Sequence, residues 1–314
     1  MTGTPLAVVV LTHADPAHLH RMAGAFADVP MFVHCDARTS SEVFGAMVAG
    51  APRWVEFVDR LPAQVASWSL VQAELTGVAA ALRRTDAQHI AVLSGSCYPL
   101  LGVADLCREL EAWSGRTWLA NVPMPYAPWR TPRYDDGGMW RLEHRFITRY
   151  DNVVLVNGHP LRLPIRRRLP RDIEPRAASQ WKIYARQDAQ RLLDILDDRS
   201  DLRSFWRSTL VPDESFSASM LGSRALFGSD CLPLQSTGAW FLQWDKANRG
   251  HPRWLSEADF PLLEKARWAE PLAPDDVVGP DFGYDGSRRK LFARKVSSER
   301  SAGLLGEIDQ SLRD

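Results

Sequence analysis

Four cysteines in 314 residues, Cys35, Cys97, Cys107 and Cys231, show no metal-ligand spacing. That argues against a zinc-knit or disulfide-stapled architecture and favours reduced thiols in a cytoplasm. Net charge is missing as well. Lys+Arg and Asp+Glu each number 38, so no global field draws the chain to nucleic acid or to an anionic membrane, and any basic site must be local. No stretch approaches the ~18 consecutive apolar residues of a bilayer-spanning helix. The opening MTGTPLAVVVLTHADP has no positive n-region and no cleavage pattern, so its short apolar run is expected to be a strand rather than a signal peptide. Neither a Gly-x-Gly-x-x-Gly nor a P-loop occurs, which weakens dehydrogenase and ATPase readings. Repeats and low-complexity tracts are absent too.

What remains is an ordinary globular composition, 45% apolar and 24% charged, on a chain long enough for a sizeable core. Strand and helix signals alternate. Leu6–Leu11 is a continuous apolar run, as expected of a strand buried on both faces. Met31–Asp36, Trp54–Val58, Ile90–Leu93 and Thr117–Ala120 read as further strands, with helices over Ser41–Val48, about Ala66–Arg83 and Ala104–Trp113 between them. Later, Ala178–Tyr184 and Ala239–Trp244 read as strands, Gln187–Leu196 as a helix and Asp259–Leu263 as a short helix. The alternation predicts an α/β sandwich around a mainly parallel sheet, in which ligands bind at the carboxyl ends of strands. His13, Asp36 and Ser94-Gly95-Ser96 fall at such ends. His34 and Asp36, two apart on an extended chain, point to the same side. No Asp-x-Asp or His/carboxylate cluster accompanies them, so no essential metal is expected.

The stretch Thr209–Ser223 places Glu214 at a helix start: Pro212 stops what precedes it, and Asp213 is expected to accept bonds from the first-turn amides. A carboxylate fixed there can take a proton from a substrate hydroxyl, although acidic residues favour first turns for electrostatic reasons alone. Residues 121–150 are dense in Pro, aromatics and Arg and read as a long loop lining a binding site. Pro160–Pro175 carries Arg162, Arg166, Arg167, Arg168 and Arg171, a solvated basic loop or a phosphate contact. Ser287–Val296 is either an exposed basic patch or, through Arg294 and Lys295, a phosphate site. Twelve tryptophans, several in polar surroundings, suit flat ligand faces as well as a core.

The order of motifs resembles the core-2/I-branching β-N-acetylglucosaminyltransferases and peptide O-xylosyltransferases, glycosyltransferase family 14. The landmarks are His34-Cys35-Asp36, Leu93-Ser-Gly-Ser-Cys-Tyr-Pro-Leu100, Ser179-Gln180-Trp181, Pro212-Asp213-Glu214, Trp244 with His251-Pro252, and Phe292-Ala-Arg-Lys-Val296. The resemblance implies a single GT-A-like (Rossmann-like) domain over 1–314, with a nucleotide-binding half at 1–120 and an acceptor-binding and catalytic half at 121–314. It also implies an inverting, metal-independent transfer of GlcNAc or xylose from a UDP-sugar co-substrate, with no cofactor. Glu214 matches the catalytic base, and Lys295 with Arg294 the cations that neutralise departing UDP. His13, His34, Asp36, Ser94 and Gly95 are assigned to the nucleotide sugar, and Asp213, Trp181, Trp244 and Tyr98 to the substrate.

Two departures stand out. Cys97 occupies the place of the family's Asp in the Ser-Gly-x-Asp turn, and Val65-Ala-Ser-Trp68 replaces a Trp-Gly-Gly before the long helix. The expected partners are a nucleotide sugar and a carbohydrate or hydroxylated-metabolite acceptor, with no nucleic acid and no transmembrane segment. A homo-oligomer is left open, and the expected location is cytoplasmic. The competing readings are a binding protein of the same fold without transfer activity and, ranked last, a two-carboxylate hydrolase. Adjacent Asp213 and Glu214 cannot readily flank one glycosidic bond.

Overall fold

The computed structural model describes residues 5–244, 251–276 and 286–313. Strand β1 (Leu6–Thr12) is buried along its whole length, as an unbroken apolar strand must be. In chain order follow α1 (Pro16–Ala25), β2 (Met31–Cys35), α2 (Ser41–Ala49), β3 (Val55–Phe57), α3 (Trp68–Arg84), β4 (His89–Ser94), β5 (Cys97–Pro99), α4 (Val103–Glu111) and β6 (Trp118–Pro123). After α5 (Trp140–Glu143) come β7 (His144–Phe146), β8 (Arg162–Arg166), the long β9 (Arg176–Ala185), α6 (Arg186–Asp198), α7 (Ser200–Arg207) and α8 (Phe216–Gly222). The chain ends with β10 (Trp240–Leu242), α9 (Phe260–Trp268), β11 (Phe292–Arg294) and α10 (Ala302–Ser311).

Six strands make the central sheet in the order β3-β2-β1-β4-β9-β6. The first four are parallel, with Val9 between Phe32 and Val92, whereas β9 runs antiparallel to β4 and β6. Alternate residues of β1 serve opposite layers. Leu6, Val8 and Val10 meet α1 and α10 through Leu19, Met22, Leu304 and Ile308. Ala7, Val9 and Leu11 meet α3, α6 and α8 through Val71, Val78, Leu192 and Phe216. Each such side chain larger than alanine contributes about 1.5–3 kcal/mol by burial. Helix α3 lies close on β1 because Gly77 has no side chain; a Cβ there would collide with Val9. This is the αβα sandwich with a mainly parallel sheet that the alternation predicts, and it is consistent with a GT-A-like architecture.

A second sheet, β10-β11-β5, joins the Leu93–Leu100 and Phe292–Val296 landmarks. In it Arg294 sits opposite Cys97 and Ala293 opposite Tyr98.

Several expectations need correcting. The short helix expected over Asp259–Leu263 is present but longer: it runs as α9 to Trp268 and is entered through a 3-10 turn, Glu257–Asp259, with a Ser256/Asp259 capping box. The stretch 287–296 is not an exposed basic patch. Lys290 is fully buried with its Nζ donating to the Gly238 carbonyl at 2.9 Å, Arg288 pairs with Glu270 at 2.9 Å, and Arg289 pairs with Glu109. Of the acidic excursion 270–286, residues 277–285 lie outside the described residues. Among the described residues no helix is long and apolar enough to cross a membrane.

Candidate active site

Parallel strands deliver their carboxyl ends to one edge of the sheet, and there a cleft of about 740 Å³ opens. Thr12, His13 and Asp15 enter it from β1, His34 and Asp36 from β2, Ser94, Gly95 and Ser96 from β4, Gln180 and Trp181 from β9, and Arg294 and Lys295 from β11. Gly95 is required by close approach. A Cβ would overlap the Thr12 side chain, and the Gly95 amide donates to the Leu11 carbonyl at 2.8 Å.

One end of the cleft is cationic. The Arg294 guanidinium lies 4.3 Å over the Trp181 ring and donates from Nη1 to Ser94 Oγ and, at 2.7 Å, to Ser96 Oγ. Its Nε is buried without a partner, and burial pulls its pKa below the ordinary arginine value. Cys97 sits beneath this turn: Ser94 N donates to its Sγ at 3.4 Å. A cysteine therefore stands opposite Arg294 in this turn. Lys295 Nζ lies 4.7 Å over Trp254, with burial first and Arg294 second lowering its pKa. No carboxylate pairs with either cation among the described residues. The segment is anchored by Asp15, which accepts from Ser298 N at 2.9 Å and Ser298 Oγ at 2.6 Å.

The other end is polar and internally paired. Asp36 takes Arg38 Nε at 3.1 Å and Nη2 at 2.7 Å, and these bonds outweigh burial to hold its carboxyl below the usual range. His34 Nε2 accepts from the Leu61 amide at 3.1 Å, and burial lowers its pKa, so the ring is a neutral acceptor. His13 is exposed on the rim, its carbonyl accepting from Thr39 Oγ1 at 3.0 Å.

Glu214 lies outside the lining of this cleft, in a 3-10 turn, Pro212–Glu214, that precedes α8. Its Oε2 accepts from Arg141 Nη1 at 2.8 Å, and the side chain stays 38% exposed. Arg141 is itself fixed 4.2 Å over Trp129. The turn is strained: Val211 has φ 51, a left-handed conformation that costs a β-branched residue about 1–3 kcal/mol. Its amide donates at 3.0 Å to the carbonyl of Ala66, itself at φ 64, and Val65 next to it lines the cleft. The Glu214 turn is thereby stitched to the cleft rim.

Asp213 does not cap the helix, a correction to the sequence expectation. Its side chain is buried and its Oδ1 has no partner. Burial first, then the charge of Glu214, pushes its pKa up to about 7. Beneath it lies a closed network in which Lys182 Nζ donates to both Glu74 oxygens at 3.0 Å and to Ser217 at 3.2 Å, while Tyr184 OH donates to Glu74 at 2.7 Å.

The structure thus brings His13, His34, Asp36, Ser94, Gly95, Trp181, Arg294 and Lys295 into one cleft, with Glu214 and Asp213 in an adjoining turn. It does not bring Tyr98, which is buried with its OH donating to Asp309 at 2.8 Å, an environment that pushes its pKa up to about 12. Trp244 is 47% exposed, bridged to Pro252 outside the lining. The loop 121–150 does not line the cleft; it carries Trp129 and Arg141 to Glu214. Arg141 and Trp254 escape sequence reading because nothing in their spacing marks them. Only the density of aromatics and arginine in the first case, and the neighbouring His251-Pro252 in the second, give a signal.

A family model described as Core-2/I-Branching enzyme matches residues 9–263, a span that holds the β1, β2 and β4 ends and the Glu214 turn. A comparison with curated proteins finds no match.

Proposed function

The chain belongs to the core-2/I-branching enzyme family, and from that premise we propose an inverting, metal-independent transfer from a UDP-sugar to an acceptor hydroxyl. At the coarser level the family makes the chain a glycosyltransferase that takes its sugar from a nucleotide sugar. In the finer reading, a Glu214 oxygen accepts the proton of the acceptor hydroxyl as that oxygen forms its bond to the anomeric carbon. The bond from that carbon to the β-phosphate oxygen breaks, and its electron pair leaves with UDP. Attack from the face opposite the leaving group inverts the configuration. Arg294 and Lys295 meet the charge on the departing diphosphate, the task a divalent cation would otherwise perform. Thr12, His34, Asp36 and Trp181 hold the nucleotide, and the resemblance favours GlcNAc or xylose as the sugar.

One observation carries this reading: Arg294 and Lys295 face a cleft at the carboxyl ends of β1, β2 and β4 with no carboxylate partner among the described residues. Two buried or half-buried cations without counter-ions need an anion to complete them. Glu214 gains support from its fixed geometry, one oxygen held by Arg141 on a side chain that stays partly exposed. The test is Glu214→Gln. Turnover is expected to fall about 100-fold or more, with UDP affinity and melting temperature kept and the wild-type product carrying an inverted anomeric centre after chelator treatment. Unchanged turnover removes Glu214 from the chemistry, and a product of retained configuration removes the single displacement.

A further inference from the structure

Net charge is zero over the chain, yet residues 144–171 carry seven arginines against one aspartate. These residues do not form the loop their composition suggests. Strand β8 pairs antiparallel with β7, placing Arg162 opposite Phe146 and Arg166 opposite His144. Two short ladders, Thr148–Arg149 with Asn152–Val153 and Leu155–Val156 with His159–Pro160, complete a β-knob. Ile147, Val154 and Leu161 fasten the pieces by backbone bonds of 2.9 Å. Asn157-Gly158, both at positive φ, supply the tight hairpin turn.

This segment does not follow the pattern of a half-buried sheet strand. Leu161, Leu163 and Ile165 all meet solvent, with Ile165 77% exposed, and the register against β7 shifts between Arg162 and Arg166. Leu155 and Val156 at the hairpin tip are each about half exposed, and Tyr150 is 80% exposed. Six of the twelve large exposed apolar side chains among the described residues therefore lie within sixteen positions, 150–165. Around them Arg145, Arg149, Arg166, Arg168 and Arg171 are exposed. Only Arg166 has a carboxylate partner among the described residues, Glu143 at 3.1 Å, and Asp151 is taken up by Arg207. The remaining arginines, Arg162 and Arg167, are half-buried.

We propose that this knob docks on an anionic lipid surface, with Leu155, Val156, Leu163 and Ile165 entering the headgroup boundary and the surrounding arginines meeting lipid phosphates. Aliphatic tips ringed by cations are the chemistry that binds such an interface, neither component sufficing alone. Two other occupants fit worse. A second copy across a two-fold axis would set the same arginines against each other. A nucleic acid has no use for five exposed aliphatic chains, and only Tyr150 among them could stack on a base. The knob is tied to the Glu214 segment, since the Phe146 amide donates to the Ser208 carbonyl at 2.9 Å. Docking would therefore bring lipid beside the proposed acceptor side; that link alone rests on the reading of Glu214, whereas vesicle binding does not.

The experiment is co-sedimentation of the full chain with vesicles of phosphatidylcholine alone or with about 30% phosphatidylglycerol. Partitioning is expected onto the anionic vesicles only, weakened by raised salt. It should be lowered tenfold or more by Leu163→Ser with Ile165→Ser and, separately, by Arg149→Gln with Arg168→Gln. Both variants should keep the wild-type melting temperature and nucleotide affinity. No partitioning at excess anionic lipid overturns the proposal, as does partitioning unaffected by both double variants. Self-association that the Leu163/Ile165 variant abolishes, without vesicle binding, assigns the face to a second copy instead.

Discussion

Arg167 and Arg294 are both stacked on an aromatic ring, Arg167 3.9 Å over Phe205 and Arg294 4.3 Å over Trp181, and neither has a carboxylate partner among the described residues. Their donors are used differently. Arg167 gives Nε to the Leu142 carbonyl at 2.7 Å, Nη1 to Ser208 Oγ at 2.7 Å and the Phe205 carbonyl at 3.0 Å, and Nη2 to Thr209 Oγ1 at 2.7 Å. Every nitrogen is occupied, and burial with the nearby Arg145 brings its pKa down to about 10. Arg294 spends one nitrogen on two serine hydroxyls and leaves Nε bare. A cation whose donors are filled by its own chain holds that chain together. One that lines a cleft without a carboxylate partner is suited to meet an anion that binds there.

The comparison can be broken at several points. Arg167→Met should cost the most, about 3–5 kcal/mol in urea denaturation, because it strands several buried acceptors at once. Arg294→Met should leave stability within about 1 kcal/mol and instead weaken nucleoside-diphosphate binding about 10- to 100-fold by calorimetry, the worth of one charge-assisted contact. The opposite pattern, a stable Arg167→Met and an unfolded Arg294→Met, would reverse the assignment of the two.

Asp213 offers a pH test. Its folded pKa, about 7, is raised above the ordinary carboxylate value of 3.8. The stability it contributes is therefore fully present below about pH 4 and lost as pH rises through 7. The melting temperature of the wild type should fall by about 2 °C or more between pH 5 and pH 8, and Asp213→Asn should flatten that fall. A slope that survives the substitution would place the titration elsewhere. The smallest effect is expected at Ala66, at φ 64. Ala66→Gly should stabilise by at most about 1 kcal/mol, since glycine adopts that conformation without a Cβ penalty.

What could be read beforehand follows a physical division. Strand-end logic locates His13, Asp36 and Ser94–Ser96, because a short continuous apolar run such as Leu6–Leu11 in a chain of alternating strands and helices suits a buried parallel strand, and the carboxyl ends of such strands meet. Tyr98 belongs to the same motif, and the resemblance assigns it to substrate, but successive residues of a strand face opposite sides. With Cys97 facing Arg294, Tyr98 turns to Asp309 instead. The β-knob at 144–166 is not legible in the sequence because its strands are only two to five residues long and its apolar side chains meet solvent. Arg141, Trp254 and the Glu74–Lys182–Tyr184–Ser217 network are made by contacts between distant segments, which no local spacing encodes. Asp213 reads as a cap because Asp is favoured at helix starts. Here the 3-10 turn faces its carboxyl inward.

The central claim is that Arg294 and Lys295 wait for a diphosphate, and it is tested most directly by calorimetric titration of the chelator-treated protein with UDP, alongside GDP and dTDP. The account predicts UDP binding without metal, weakened at least tenfold by Lys295→Ala. UDP binding that needs a divalent cation, or that is indifferent to Lys295, would contradict it. Binding of none of the three nucleotides would mean that the fold persists without the transfer chemistry.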